Sequence, residues 1–596
     1  MTEPRENWPA SGGSKVKVKI NARKNTRTTM ANRRMKTLIF GCVFFTAVAL
    51  PTVAHAQKPV PLVIQGGTLI DATGRTPIEN AVIVVEGERI KAVGKRGEVA
   101  VPRNARVIDV NGKTILPGLI DGHCHLLDFM GEIYLHLGIT TCPDITQNDD
   151  EWTLAQRDGT NLGKIRGPRI WSTGARLVGP PPDWALRGER GYLIKTPEEA
   201  VAAVRKKKAG GIEIIKFNEY VSPDAIKAGA AEANRLGLPV TCHCLDVFLA
   251  AEAGFAGVEH HWAPGMTSIG DVKKRWEIHE RRMTGKINTA DLSYFYEPEN
   301  FDKIVKAMVE KNVSWSPTIA TWYRPLSPSV ARFKERELSI LDRKEAQYLP
   351  GVLREQALGQ YERYAKFPPE RLNNAREGYK KIADLIRRFV QAGGIIRAGS
   401  DPNNGLPGLG VHQELVMFVE AGLAPTQALQ AATINVAKTF RKDKDFGTVE
   451  PGKVADLIAV DGDPLKDIWA TQNVKLVVLG GKIVDQEFHA NHKNPIPAIR
   501  AWRATPQEIE IAPRSVVQGA GATTVKIATR RGFDRFHKAT LAGKELETRF
   551  ISPSELEATI PPQMTKAVGT YPIVVVGQGD FASKSAPAYF IVTFKP

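Results

Sequence analysis

Five histidines or carboxylates and one lysine stand at positions where they could share a metal centre: His123, His125, Lys216, His243, His260 and Asp401. The first two flank Cys124 in the run Pro117-Gly-Leu-Ile-Asp-Gly-His-Cys-His125. Alternate residues of a strand share a face, so both imidazoles can converge on one ion while Cys124 turns away. Alone, an H-x-H is weak, since two solvent-facing histidines would read the same way. Lys216 ends the apolar run Ile212-Glu-Ile-Ile-Lys, His243 ends Val240-Thr-Cys-His, His260 follows Gly257-Val-Glu, and Asp401 ends Ile395-Ile-Arg-Ala-Gly-Ser-Asp. With roughly 30 residues per βα unit of an eight-fold barrel, the 91 residues from His125 to Lys216 are three units, placing Lys216 on a fourth strand. Each candidate then falls at a strand's C-terminal end, where such a fold keeps its active site.

Imidazole and carboxylate donors favour zinc or a neighbouring transition metal over calcium or magnesium. Four imidazoles, one carboxylate and a lysine suit two divalent ions. A protonated lysine is no ligand, and an interfacial lysine reaching to solvent is the ordinary alternative for Lys216. Addition of CO₂ to its neutral amine would give a carbamate whose two oxygens could bridge both ions.

Around these residues the texture changes along the chain. Residues 63–110 read as short strands punctuated by turns, and similar strands return at 455–460 and 474–482. Between them, apolar strands alternate with helical stretches, the pattern of parallel α/β units. A Pro-rich hinge, Asn494-Pro-Ile-Pro-Ala-Ile-Arg, precedes a strand-rich final segment that reads as a small β-sandwich. The expected organisation is an N-terminal extension and signal peptide over 1–56, a composite β-sandwich from 57–115 and 441–487, and a barrel over 116–440. A linker over 488–503 and a last β-sandwich over 504–596 complete it.

The chain has 596 residues, and its formal charge of +17 invites a nucleic-acid reading. Residues 1–56 hold ten of the basic residues against two glutamates, and no basic stripe follows, so nucleic acid is not expected as a partner. Arg33, Arg34 and Lys36 precede an apolar run over 38–50, then Pro51-Thr-Val-Ala-His-Ala56. That is a secretory signal with an A-x-A cleavage site and Gln57 as the first mature residue. Its apolar run is too short to span a bilayer. A periplasmic or secreted protein without stable membrane insertion is expected, with Met30 or Met35 as alternative starts. The four remaining cysteines, Cys124, Cys142, Cys242 and Cys244, are expected to be buried inert thiols rather than a disulfide framework.

These segments resemble the amidohydrolase superfamily, in particular its imidazolonepropionase-like and dipeptide-hydrolysing branch, over about residues 62–487. Ile64-Gln-Gly-Gly-Thr-Leu-Ile-Asp, Leu116-Pro-Gly-Leu-Ile-Asp-Gly-His-Cys-His and Gly138-Ile-Thr-Thr are similar to the family's opening. Gly257-Val-Glu-His260, Ala398-Gly-Ser-Asp401 and Gly447-Thr-Val-Glu-Pro-Gly-Lys-Val-Ala-Asp-Leu resemble its later signatures. The resemblance implies an α/β (TIM) barrel with a composite β-sandwich built from both flanks. It also implies that His123, His125 and Asp401 hold one metal, His243 and His260 the other, and carbamylated Lys216 bridges them. A metal-bridged hydroxide would attack an amide or peptide-like C–N bond, with Asp401 as proton shuttle. A lactone or ester hydrolase, a mononuclear cyclic-amide hydrolase and a non-catalytic binding protein are the alternatives.

Dipeptidase features are missing in places. Ser172-Thr-Gly-Ala-Arg-Leu-Val-Gly lacks the Gly-Gly-His loop, Phe217-Asn-Glu-Tyr220 replaces a Gly-rich turn, and His261 stands where relatives have Gly. Arg176, Tyr220, His261 and Arg324 are the substrate-binding candidates. Long loops before and after a seventh strand at 313–318 carry Trp276, Tyr294, Tyr296, Trp322 and Tyr323, read as a partly aromatic lid with amphipathic helices over 334–348 and 373–389. The last segment resembles an IPT/TIG-type immunoglobulin-like domain. The partner is expected to be a small-molecule substrate, with a homo-oligomer possible in principle.

Overall fold

A computed structural model describes residues 60–145, 150–180, 191–218, 220–402, 405–497, 509–529, 533, 537–552, 554–577 and 584–594. The expected signal segment, its expected cleavage site and residues 498–503 of the expected linker lie outside them. Among the described residues no helix is long and apolar enough to cross a membrane.

The β-branched run Ala81-Val-Ile-Val-Val packs both faces of its strand, a pattern suited to the centre of a sheet. Ala81–Glu86 lies between Arg89–Lys95 and Leu62–Gln65, and Arg106–Asp109 closes that four-stranded sheet. A second sheet joins the chain's two flanks. Leu457–Asp461 runs antiparallel to Lys113–Pro117 on one side and to Val474–Leu479 on the other, with Leu457 opposite both Pro117 and Val478. Ile64, Ile83, Ile115, Leu457 and Val478 share one core. The paired strand therefore runs two residues past the expected boundary at 115.

Between the flanks the strands are parallel and short, and most are buried on both faces, as helix-covered parallel strands are. Leu119–Ile120, Ile139–Asp144 and Arg169–Ser172 pair in that order. Ile215–Phe217, Val240–Cys242, Gly257–Glu259 and Ser314–Ser316 form a second parallel succession. Three contacts link its ends: Ile214 N donates to Ser172 O at 3.1 Å, Trp315 bridges Ile396, and Gly122 N donates to Ala398 O at 2.7 Å. Helices fill the connections. In Pro223–Arg235, Ser222 caps the Ala225 N–H, Pro223 takes the first turn, and Ala225, Ile226, Ala230 and Ala233 form the buried stripe. The result is a mixed α/β fold with the candidate residues at the strand ends.

The long connections contain Val272–Met283 and Phe301–Glu310 before Ser314–Ser316, and Val330–Leu341, Val352–Ala365 and Pro369–Gln391 after it. Pro369 occupies the first turn of the last helix, so that helix starts before the expected 373. Beyond the linker, Ile509–Ala512, Thr523–Thr529, Glu555–Ile560 and Glu547–Ser552 form one sheet. Ser515–Val517, Ala588–Thr593, Gly569–Val576, Lys538–Leu541 and Lys544–Glu545 form another, and Val525, Leu556, Ile573 and Phe590 belong to one core common to both.

The cysteine expectation needs correction. Cys124 and Cys142 are buried free thiols, but Cys242 and Cys244 are disulfide-bonded with Cα atoms 5.3 Å apart. The strand Val240–Cys242 ends at the first of them, and beyond it the backbone leaves the extended form, in which alternate Cα atoms would lie about 6.5 Å apart, so the two side chains come within bonding reach.

Candidate metal centre

The parallel strands bring the predicted ligands to one place. The ring centroids of His123 and His260 are 4.5 Å apart, as are those of His243 and His260, and those of His123 and His125 are 5.4 Å apart. The Nε2 atoms of His243 and His260 face each other at 2.8 Å, and His125 Nε2 lies 3.3 Å from Asp401 Oδ1. Two ligand groups emerge, His123 with His243 and His260, and His123 with His125 and Asp401. In each group one ligand atom per residue lies within 4.8 Å of the others. His123 belongs to both groups, whereas the sequence reading gave it to the group of His125 and Asp401 alone. Lys216 is fully buried on Ile215–Phe217, and its charge acts on both His123 and His260.

The surroundings leave these side chains ready to bind a cation. Burial lowers the pKa of His123 and drives that of His260 well below the ordinary imidazole value. Burial opposes ionisation of Asp401 as well, but its hydrogen bond to His125 and the nearby imidazoles outweigh it and hold the carboxyl below its usual range. Neutral imidazoles at His123 and His260 beside an ionised Asp401 are the protonation states that metal ligation needs. His123 Nε2 is buried and makes no hydrogen bond among the described residues. Its Nδ1 lies 2.6 Å from Glu259 Oε2. That orphaned nitrogen, together with two Nε2 atoms that cannot both carry a proton toward each other, fits a divalent ion held by N and O donors.

Glu259 is the main residue that the sequence reading missed. It is fully buried, accepts hydrogen bonds from Thr241 and from Arg397 Nη2 at 3.0 Å, and binds His123. Burial would raise its pKa, but Arg397, Lys216 and His123 together hold it well below the carboxylate range. Strand alternation points Glu259 and His260 to opposite faces. The backbone of His260 turns to φ +63, so both residues serve the same centre. Asp401 at φ +34 and Thr318 at φ +49 are also in the left-handed region, which non-glycine residues occupy at a cost of order 1–3 kcal/mol.

The four substrate-binding candidates are placed differently. Arg176 is buried, and its carbonyl accepts the Tyr192 N–H. The Tyr220 hydroxyl meets His279 Nε2 at 3.2 Å. His261 lies 2.8 Å from the Tyr296 hydroxyl and packs edge-on against Trp262 and Tyr323; burial and the Arg282 charge push its pKa down to about 3. Arg324 has partners on the neighbouring helices. It is fully buried, ion-paired to Glu337 at 2.9 Å and bonded to Gln360, Tyr361 and the Ala357 carbonyl. The aromatic residues of the long loops also divide. Tyr296 and Tyr323 are buried, whereas Trp276 and Tyr294 are exposed, and the ring stacked on His260 at 3.9 Å is Trp262.

The amidohydrolase family profile matches residues 114–484, a span that holds every one of the clustered ligands. The chain belongs to the amidohydrolase family. Membership makes it a hydrolase, and this amidohydrolase has deaminases among its relatives. A 5-methylthioadenosine/S-adenosylhomocysteine deaminase from Symbiobacterium thermophilum is 42% identical over 474 residues, covering 72% of this chain and 94% of that protein. An adenine deaminase from Rubrobacter xylanophilus is 24% identical over 450 residues, 73% of this chain. The match spans 59% of the length of that deaminase. Among solved structures, a putative prolidase from Bifidobacterium longum superposes with a TM-score of 0.52 at 24% identity, covering 72% of this amidohydrolase and 95% of the prolidase. That likeness speaks to the fold.

Proposed function

We propose that this amidohydrolase is an exported, metal-dependent enzyme that hydrolyses amide or peptide-like C–N bonds. Two ions, zinc by the character of the donors, would be held by His123, His125 and Asp401 and by His243 and His260, with Lys216 between them. The observation that carries the reading is the pair of ligand groups that meet at His123. The parallel strands are read as a (β/α)₈ barrel because their hydrogen bonds return from residues 396–398 to Gly122. The final segment is read as an Ig-like domain because its two antiparallel-rich sheets share a core. Export rests on the basic and apolar pattern of residues 33–56.

Bound divalent ions would supply Lewis acidity, acidifying a water and polarising the scissile carbonyl. The chain's own residues do the rest. Asp401 Oδ1 lies next to His125 and can take the proton released by the attacking water and deliver it to the leaving nitrogen. Glu259 keeps a proton on His123 Nδ1, which leaves Nε2 as a donor lone pair. Lys216 is read as the carbamate-bearing residue: its neutral amine adds to CO₂ with loss of one proton, and its full burial among imidazoles supports that reading. The long-loop segments, with His261 and Trp262 beside the centre, would contact the substrate.

A second reading, deamination of a purine nucleoside, is favoured by the 42% identical relative that carries that description. One panel separates them. The metal-loaded chain is incubated with N-acyl amino acids, Xaa-Pro dipeptides, lactones and adenine nucleosides, and amine, ammonia and acid release are followed. Amine release from amides is expected. Ammonia release from nucleosides alone would establish the second reading, and a metal-replete chain inert toward the whole panel would contradict both.

A further inference from the structure

Directly after Ser314–Ser316, residues 318–321 touch one ligand of each group. Thr318 Oγ1 lies 2.8 Å from His260 Nδ1, and Thr321 Oγ1 donates to the backbone carbonyls of Ser400 and Asp401, each at 2.9 Å. All five of these residues are buried, and Thr318 holds the left-handed conformation that begins the turn. Glu414, from the helix Leu409–Glu420 that follows Asp401, locks this turn. Its Oε1 accepts the Ile319 N–H at 3.0 Å and its Oε2 the Ala320 N–H at 2.8 Å. Glu414 is itself fully buried, and it touches none of the candidate ligands in these contacts.

We propose that Glu414 is a positioning residue for the metal centre: through the 318–321 turn it sets the ring of His260 and the backbone of Asp401 together. The inference rests on reading His260 and Asp401 as ligands. Its physical basis is the requirement that a ligating imidazole be oriented by a hydrogen bond on its other nitrogen. If His260 binds through Nε2, its Nδ1 carries the proton and donates it to Thr318 Oγ1. Thr318 can accept in a fixed direction only while its unusual backbone is held, and both carboxylate oxygens of Glu414 are used to hold the two amides that follow it. Thr321 carries the same constraint across to Asp401. A glutamine at 414 retains one acceptor oxygen of the two and presents an NH₂ to the other amide, so one tether is lost and a donor faces a donor.

The test uses the full chain loaded with Co²⁺, with metal affinity by competition against a chromophoric chelator and the visible Co²⁺ spectrum as readouts, and the thermal unfolding of the metal-free protein as control. E414Q, T318V and T321V are compared with wild type and with E414D, which keeps both oxygens. Each of the first three is expected to weaken Co²⁺ binding by about 10–100-fold and to change the spectrum, with E414D nearer wild type than E414Q. T318V and T321V preserve side-chain shape, so they carry the test if E414Q does not fold. Wild-type affinity and spectrum in folded E414Q, or in both threonine variants, would overturn the inference while leaving the metal reading intact. A wild-type chain that binds no Co²⁺ would overturn both.

Discussion

His123 and Glu259 are 2.6 Å apart, Nδ1 to Oε2, and both are completely buried. The carboxylate therefore decides which nitrogen of the imidazole shared by the two ligand groups carries the proton. Glu259 also balances Arg397 at 3.0 Å, a second fully buried charge. Glu259→Gln should lower metal affinity about 10–100-fold. Leaving Arg397 without its counter-charge should in addition destabilise the fold by about 3–5 kcal/mol. Metal competition and urea unfolding of the metal-free protein would check the two effects separately. Unchanged affinity would show that the pair is structural only.

Arg324 forms a fully buried ion pair with Glu337 at 2.9 Å. Arg324→Met breaks a fully buried pair and strands Glu337, so a loss of stability of about 3–5 kcal/mol is expected. KM for any substrate found should be unchanged in the folded fraction. A KM that rises with stability unaltered would return Arg324 to the substrate-binding residues.

Acid sensitivity should come in part from His412. This buried imidazole lies 2.9 Å from the Leu137 carbonyl and 3.0 Å from Thr471 Oγ1, and burial lowers its pKa from 6.5 to about 4. Above pH 6.5 the ring is neutral in both folded and unfolded chains and contributes no pH dependence. As pH falls from 6.5 to about 4 the unfolded chain takes up a proton that the folded chain refuses, and stability drops by a total of about 3 kcal/mol. Urea midpoints from pH 7 to 4 should fall more steeply for wild type than for His412→Gln. Parallel slopes would contradict this assignment.

The convergence of His123, His125, His243, His260 and Asp401 was legible because each stands at or just after a short apolar run, and parallel strands present their C-terminal ends on one side. The flanking sheets were legible for a similar reason: runs such as Ala81-Val-Ile-Val-Val admit one reading. What the sequence hid was whatever depended on broken periodicity. Glu259 is adjacent to His260, and alternation sends the two apart unless the backbone turns left-handed, a choice that no side chain announces. Thr318, Thr321 and Glu414 reach the centre through hydrogen bonds 58 to 95 residues apart in the chain. Arg324 looked available because its neighbours are aromatic and polar. Its partner Glu337 lies on the next helix, and nothing local marks the two as a buried pair. Cys242 and Cys244 were misread because the strand ends at Cys242 and the chain then draws the two Cα atoms to 5.3 Å, a bend that strand alternation does not foresee.

Metal content bears most directly on the central claim, because His125 and Asp401 belong to one ligand group and His243 and His260 to the other. Elemental analysis of the chain purified without chelators, alongside His125→Ala and His243→Ala, gives the comparison. Two ions per chain in wild type and one in each variant is the predicted result. A wild-type chain that retains no metal, or variants that both keep two ions, would contradict the account.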